Sequence, residues 1–159
     1  ALSVWETQDR FIAALDSVKD RILVESPWIK RGTQRYLKYF RKLLKAGKKL
    51  YILYGIEPYD YSQHHTETMK ELMELSKEYS KQFKLIHLPT HFDHHQIALT
   101  GTHKKLVIKD DEYYLSGSFN FLSFGKKESD KVANEESILI RSNVDEKWKQ
   151  VQKDYKLKF

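Results

Sequence analysis

The sequence predicts an α/β fold in which a mixed β-sheet is flanked by helices on both faces. Three observations carry this expectation. Apolar residues recur at helical spacing in four stretches of the 159-residue chain, and short runs rich in Val, Ile, Leu and Tyr lie between them. After a first helix the order reads β-α-β-α-β, then a hairpin, a strand and a helix. Alternating strands and helices favour parallel pairing with crossover helices, whereas a hairpin pairs antiparallel.

Each element follows from local pattern. Phe11, Ala14, Leu15 and Val18 place an amphipathic helix at about 5–19. "RILVESPW" (21–28) reads as a short buried strand stopped by Pro27. Thr33 can cap a second helix with Leu37, Phe40, Leu43 and Leu44 on its apolar face, and Gly47 ends it. "KKLYILYGI" (48–56) is the second strand, closed by Pro58. Met69, Leu72, Met73, Ser76 and Tyr79 give a third helix at about 66–81, and "FKLIHLP" (83–89) a third strand. Residues 102–109 and 113–118 form a hairpin, and "ESILIRS" (136–142) a further strand. Val144, Trp148, Val151 and Tyr155 define the last helix, with Ser142 or Asn143 available as its cap.

The length suits one compact domain spanning 1–159, and the hydrophobic fraction of 40% is enough for a core. With no cysteine, disulfides, thiolate metal sites and a Cys nucleophile are excluded. No apolar run approaches a membrane span, and the N-terminus lacks a signal-peptide layout. The chain begins at Ala1, not Met, and a helix starts almost at once; it is expected to be a domain excised from a longer cytoplasmic protein.

Charge is distributed unevenly. Residues 30–49 hold nine Lys or Arg and no acid, so against a total of +6 the remainder carries a net −3. Such polarity fits a polyanionic partner, nucleic acid or an anionic lipid surface, although a lysine-rich helix face also serves simply to meet solvent. Lys30, Arg31, Arg35, Lys38, Arg41 and Lys42 are the candidate nucleic-acid-binding residues.

The hairpin carries the chemistry. In "GTHKKLVIKDDEYYLSGSFN" (101–120), strand alternation puts His103, Lys105 and Val107 on one face. If the turn is centred on Asp111 and Glu112, Lys105 lies opposite Ser118 and His103 opposite Asn120; the turn lacks the favoured Asn-Gly or Asp-Gly, and a longer one would move the pairing. Such a patch suits a phosphodiester. Lys105 supplies positive charge, Ser118 and Asn120 donate hydrogen bonds to phosphate oxygens, and His103 can act as nucleophile or acid/base. Asp110 falls in the turn or on the opposite face and is expected to be structural.

His-x-Lys, four residues, Asp, six residues, Gly-Ser-x-Asn is the spacing of His103, Lys105, Asp110, Gly117, Ser118 and Asn120. It resembles in full the HKD signature of the phospholipase D superfamily. "ILVESPW" and "NEESILI" also resemble that family's early strand and the strand after its motif. The resemblance implies a phospholipase D-like fold and a covalent phosphohistidine on His103. Lys105, Ser118 and Asn120 would stabilise the phosphoryl oxygens, Asp110 and Gly117 would be structural, and no metal or other cofactor would be required. It also implies a Glu just before the following strand, where Glu135 and Glu136 are candidates and spacing favours Glu136. The mechanism needs a second histidine to protonate the leaving group. Single-motif relatives, the small Nuc-like bacterial endonucleases, obtain it by forming a homodimer, so a homodimer is expected here.

Other signals compete. "HLPTHFDHH" (87–95) holds His87, His91, Asp93, His94 and His95, which by composition could bind metal or line the cleft or dimer surface. His64 and His65 read as a solvated loop. Phe119, Phe121 and Phe124 are core residues or base-stacking platforms, and Trp28, at a strand end, is a candidate for the cleft wall. A metal-independent nuclease is the leading expectation. The alternatives are a phospholipid phosphodiesterase or phosphatidyl transferase, and a non-catalytic DNA-binding or dimerisation module of a larger protein.

Overall fold

A computed structural model describes residues 1–55, 63–88, 91–92, 94–95, 98–99, 102–124 and 134–159. The fold is α/β, with a mixed sheet flanked by helices. In chain order the elements are α1 (Val4–Asp16), β1 (Arg21–Ser26), a 3-10 segment (Arg31–Tyr36), α2 (Leu37–Lys45), β2 (Lys49–Tyr54), α3 (Gln63–Glu78), β3 (Phe83–His87), β4 (His91–Phe92), β5 (Ala98–Leu99), β6 (Leu106–Lys109), β7 (Tyr113–Gly117), β8 (Ser137–Ile140) and α4 (Val144–Tyr155). The main sheet runs β3-β2-β1-β6-β7-β8. β1, β2 and β3 are parallel, while β6, β7 and β8 join antiparallel beyond β1.

Two apolar cores lie on opposite faces of this sheet. Ile22, Val24, Ile52, Val107 and Leu115 point into the larger, with Phe11, Phe40 and Leu72 from the first three helices. Leu23, Leu53, Leu106 and Ile108 point into the smaller, under Val144, Trp148 and Val151 of α4. Strand alternation produces this division, because successive side chains leave opposite faces.

Several expectations are corrected. The first helix stops at Asp16, not 19, because the backbone N–H groups of Lys19, Asp20 and Arg21 donate to the Asp110 carboxylate and cannot continue a helix. At its start Ser3 and Glu6 form a capping box, which the pattern had not flagged. Thr33 does not cap α2. It lies inside the 3-10 segment, buried, donating to the Leu122 carbonyl at 2.7 Å. Asn143 precedes α4 in a left-handed conformation without a side-chain cap bond. His64 and His65 fall in the first turn of α3, not in a loop before it. β4 and β5 pair within a stretch expected to be loop. Pro58, Asp93 and residues 125–133 lie outside the described residues.

The hairpin register also differs. Lys109 pairs with Tyr113, so three residues make the turn, with Asp110 in the left-handed region at φ 49°. Asp tolerates that region better than most residues. The one-residue slip removes the pairings of Lys105 with Ser118 and of His103 with Asn120. The ladder ends at Leu106 opposite Ser116, and residues 102–105 leave strand geometry altogether.

Candidate active site

Register places the polar groups of the hairpin at one end of the sheet. Glu25, near the C-terminus of β1, pairs with Leu106 at the start of β6. Leu106 pairs with Ser116 near the end of β7, and Gly117 with Ser137 at the start of β8. The loop after β1, His103, Lys105, Ser118 and Glu136 are therefore neighbours beyond the carboxyl ends of the parallel strands. β1 is also where parallel pairing gives way to antiparallel, and open α/β sheets bind ligands beyond the carboxyl ends of their strands.

His103 is exposed and stands edge to face with Trp28, with ring centroids 5.7 Å apart. Lys105 folds back onto it. Its Nζ donates to the His103 carbonyl at 2.7 Å and lies 2.9 Å from Nδ1. Burial holds the Lys105 ammonium below the ordinary lysine value, against the opposing pull of Glu135. Burial in turn raises Glu135, with Lys105 opposing. Thus it is Glu135 whose carboxylate senses Lys105. Glu136 is exposed and meets Ser118 through its backbone: its N–H donates to Ser118 Oγ at 3.2 Å and its carbonyl accepts from Ser118 N at 3.0 Å.

Gly117 is dictated by packing. A Cβ there would lie 2.3 Å from the Glu136 carbonyl oxygen and 2.7 Å from Ser137 Cα. Its absence lets β8 approach closely enough to hold Ser118 at the rim. Asn120 is half-buried, and its Oδ1 is buried without a hydrogen-bond partner. Its carbonyl accepts from Ser123 N and Phe124 N, closing a turn. Phe119 and Phe121 are wholly buried, and half-buried Phe124 packs on Phe119 at 4.8 Å, so these rings build the core.

Asp110 sits at the other end of β6. Its Oδ1 accepts from Asp20 N at 2.7 Å and Arg21 N at 2.9 Å, and its Oδ2 from Lys19 N at 2.9 Å and Lys109 Nζ at 3.3 Å. Burial opposes its charge, but these donors together hold the carboxyl below the ordinary aspartate value. The Asp110 carbonyl also accepts from Trp148 Nε1 at 2.8 Å, tying the turn to α4.

No family model matches the chain, and none of the curated proteins matches it. Solved structures do. NucT from Helicobacter pylori superposes with a TM-score of 0.65 at 14% identity, over 97% of this chain and 92% of that one. The phospholipase D family member Nuc from Salmonella typhimurium gives 0.62 at 17% identity, over 94% and 86%. Phosphatidylserine synthase from Haemophilus influenzae Rd KW20 gives 0.57 at 16% identity, over 97% of this chain and 36% of that one. The chain has a phospholipase D-like fold.

Within that fold, topology divides the basic stretch. Lys30, Arg31 and Arg35 follow β1 and lie at the site end. The Lys30 ammonium sits 5.3 Å from the centroid of the Trp28 ring. α2 then runs back along the sheet, and β2 restarts with Lys49 opposite Arg21 at the far end. Lys38 begins this descent with its ammonium against Tyr39, Arg41 follows exposed, and Lys42 is paired with Asp16 at 2.7 Å.

The loop bearing Trp28 is firmly held. Ser26 Oγ donates to the Trp28 carbonyl at 3.0 Å, Gly55 N to the Pro27 carbonyl at 3.2 Å, and Lys30 N to the Leu122 carbonyl at 2.8 Å. His87 shares this end, stacked on Tyr54 at 4.9 Å. It lies three strands from β6, roughly 14 Å at the usual strand spacing. His94 and His95 sit between β4 and β5 with ring centroids 3.9 Å apart. Among the described residues no group of three or more His, Asp or Glu is placed to hold a metal ion. None of the described helices is long and apolar enough to cross a membrane.

Glu25, Thr102 and Tyr155 meet at the residue that precedes His103, and of these the apolar pattern of the sequence picks out only Tyr155, as a position of the last helix. Glu25 is wholly buried, and one of its oxygens accepts from Thr102 Oγ1 at 2.5 Å and from the Tyr155 hydroxyl. Burial, then the Glu25 carboxylate, push the Tyr155 hydroxyl well above the ordinary phenol range, so it remains a donor. The signal was legible in one place: a glutamate inside the apolar run "RILVES" requires a partner.

Proposed function

We propose that the chain is a metal-independent phosphodiesterase that cleaves nucleic acid through a covalent phosphohistidine on His103. The reading is supported above all by one observation. His103 and Lys105 touch one another beside Trp28 and Lys30, at the end of a phospholipase D-like sheet to which the strand register also brings Ser118.

In the first step a neutral imidazole nitrogen of His103 attacks phosphorus. An N–P bond forms, the P–O bond to the leaving group breaks, and the leaving oxygen takes a proton from a second histidine. In the second step water attacks phosphorus and gives its proton to that second histidine, and the N–P bond breaks. Lys105 leaves the His103 carbonyl for the phosphoryl oxygens, joined by Ser118 and Asn120 as charge builds on them. Glu135 and Glu136 are both candidates to orient a histidine: sequence spacing favours Glu136, and Glu135 is the one whose charge Lys105 supports.

His87 ends β3, three strands along the sheet from β6, and is not taken as the second histidine. The reading therefore assigns it to His103 of another copy of this chain, brought in by a two-fold axis at the site end.

Single-stranded DNA, duplex DNA, RNA and phosphatidylcholine vesicles, each incubated with the chain in excess chelator, test the proposal. Nucleic-acid cleavage that persists in chelator and disappears in His103→Asn is expected, with an acid-labile phosphoryl adduct trapped on His103. Activity retained in His103→Asn overturns it. Cleavage of phosphatidylcholine alone replaces it with a lipid phosphodiesterase, the reading that similarity to a phosphatidylserine synthase favours. Salt-dependent binding to nucleic acid without turnover replaces it with a binding module. Light scattering on a gel-filtration column is expected to give two copies, and a fully active monomer overturns the shared site.

A further inference from the structure

We infer that Glu25, Thr102 and Tyr155 form a hydrogen-bonded clamp that fixes the position of His103, and that they act on the reaction as positioning residues.

The three come from distant parts of the chain. Glu25 projects from β1 opposite Leu106, Thr102 immediately precedes His103, and Tyr155 is the last residue of α4. Thr102 is the hinge of the arrangement. Its hydroxyl donates to Glu25 Oε2 at 2.5 Å and accepts from the backbone N–H of Lys104 at 3.1 Å. That second bond closes a tight turn with His103 at its crown. The Tyr155 hydroxyl reaches the same carboxylate oxygen and lies 3.3 Å from Thr102 Oγ1. On the other side of His103, Lys104 extends to α4, with Nζ 3.3 Å from Asp154 Oδ2 and 6.0 Å from the centroid of the Tyr155 ring. Both neighbours of His103 are thus tied down while the imidazole itself stays exposed.

The chemistry of the clamp argues for position over stability. Glu25 is wholly buried, its donors among the described residues are hydroxyls, and its Oε1 has no partner. An apolar side chain at this strand position would bury more cheaply. The carboxylate does what an apolar residue could not: it gathers two hydroxyls from opposite sides of the irregular segment. Ladder hydrogen bonds end at Leu106, so they do not orient residues 102–105. Displacing a reacting group by about 1 Å can cost on the order of 100-fold in rate.

The catalytic consequence rests on the phosphohistidine reading, but the positional claim does not, so the test has two readouts. The first is the side-chain Cε1–Hε1 NMR signal of His103, assigned with His103→Asn, together with its carbethoxylation rate mapped by peptide mass spectrometry. The second is kcat and KM on whichever phosphodiester the chain cleaves. In Thr102→Val the His103 signal is expected to shift and its modification rate to change at least threefold, with other histidines unaffected. kcat should fall tenfold or more with KM within twofold. Tyr155→Phe should move both readouts in the same direction by less, and Thr102→Ser should restore them. Tyr155→Phe removes one distant hydroxyl, so it decides the matter if Thr102→Val does not fold. A folded Thr102→Val or Tyr155→Phe with an unchanged His103 signal and modification rate overturns the clamp. A wild-type chain that cleaves nothing overturns the phosphohistidine reading and leaves the first readout to decide this one.

Discussion

At the turn end of the hairpin, Asp110 is buried with both oxygens bonded to the backbone of Lys19, Asp20 and Arg21. At the open end, seven residues away in sequence, His103 stands exposed, with Lys105 and Trp28 against its ring among the described residues. One strand connects the two. The turn end converts polar side chains into rigidity, because donors and acceptors there are matched and shielded from water. The open end leaves its polar groups able to exchange a local partner for a substrate. Lys105, bonded to the neighbouring carbonyl, is the clearest case. The contrast shows why one run of charged and polar residues cannot be read as a single patch.

Substitutions at the two ends should separate these roles. The largest expected effect is on activity: His103→Asn should lower cleavage by at least about 10³-fold, with the thermal midpoint unchanged. Asp110→Ala should do the reverse. It strips the acceptor from three backbone amides and places Ala at a positive φ, and should cost about 3 kcal/mol of unfolding free energy in urea titrations. Because its folded-state carboxyl is held low, the contribution of Asp110 is complete above the ordinary aspartate value and lost as pH falls through the folded value. The stability gap between wild type and Asp110→Asn should therefore close in acid. A gap constant with pH would show that the charge is not what anchors the turn.

Gly117→Ala tests how the open end is supported from β8. The added methyl meets the Glu136 carbonyl and should cost about 1–3 kcal/mol by overpacking while displacing Ser118. A smaller effect distinguishes the two halves of the basic stretch. Lys30→Ala with Arg31→Ala should weaken binding to a nucleic acid and flatten its log–log salt dependence by up to about 1 per lost phosphate contact. Arg41→Ala with Lys42→Ala should leave it nearly unchanged. Equal effects from both pairs would mean that the ligand crosses the whole helix face. The smallest expected change is a pH shift. Burial lowers the Lys105 value, so the alkaline fall in activity should begin below the ordinary lysine range and recede in Lys105→Arg.

Much of the fold was legible because its causes are local. Apolar spacing in "RILVESPW" or "KKLYILYGI" reports which side chains leave the same face, whatever the partner strand. The spacing of His103, Lys105, Asp110, Gly117, Ser118 and Asn120 is legible for the same reason, being written within one short stretch of the chain. Which of Glu135 and Glu136 serves the site is not legible in the sequence, because a single residue at a strand entrance separates them: the Glu136 backbone bonds Ser118, while Lys105 opposes the burial of the Glu135 charge. The hairpin register failed likewise, since a two-residue turn was read where Asp110, in a left-handed conformation, makes it three.

By itself the sequence determined the alternating elements, the basic stretch and the spacing of His103, Lys105, Asp110, Gly117, Ser118 and Asn120. Only the tertiary structure decided which end of the sheet each reaches, that Lys42 lies far from Lys30, and that Trp28 meets His103. It alone joined Glu25 to Thr102 across 77 residues and to Tyr155 across 130. Short-range preferences fix where a backbone bends and which face a side chain leaves. Which side chains meet beyond the ends of the strands depends on strand order and register, and those are set by packing over the whole chain.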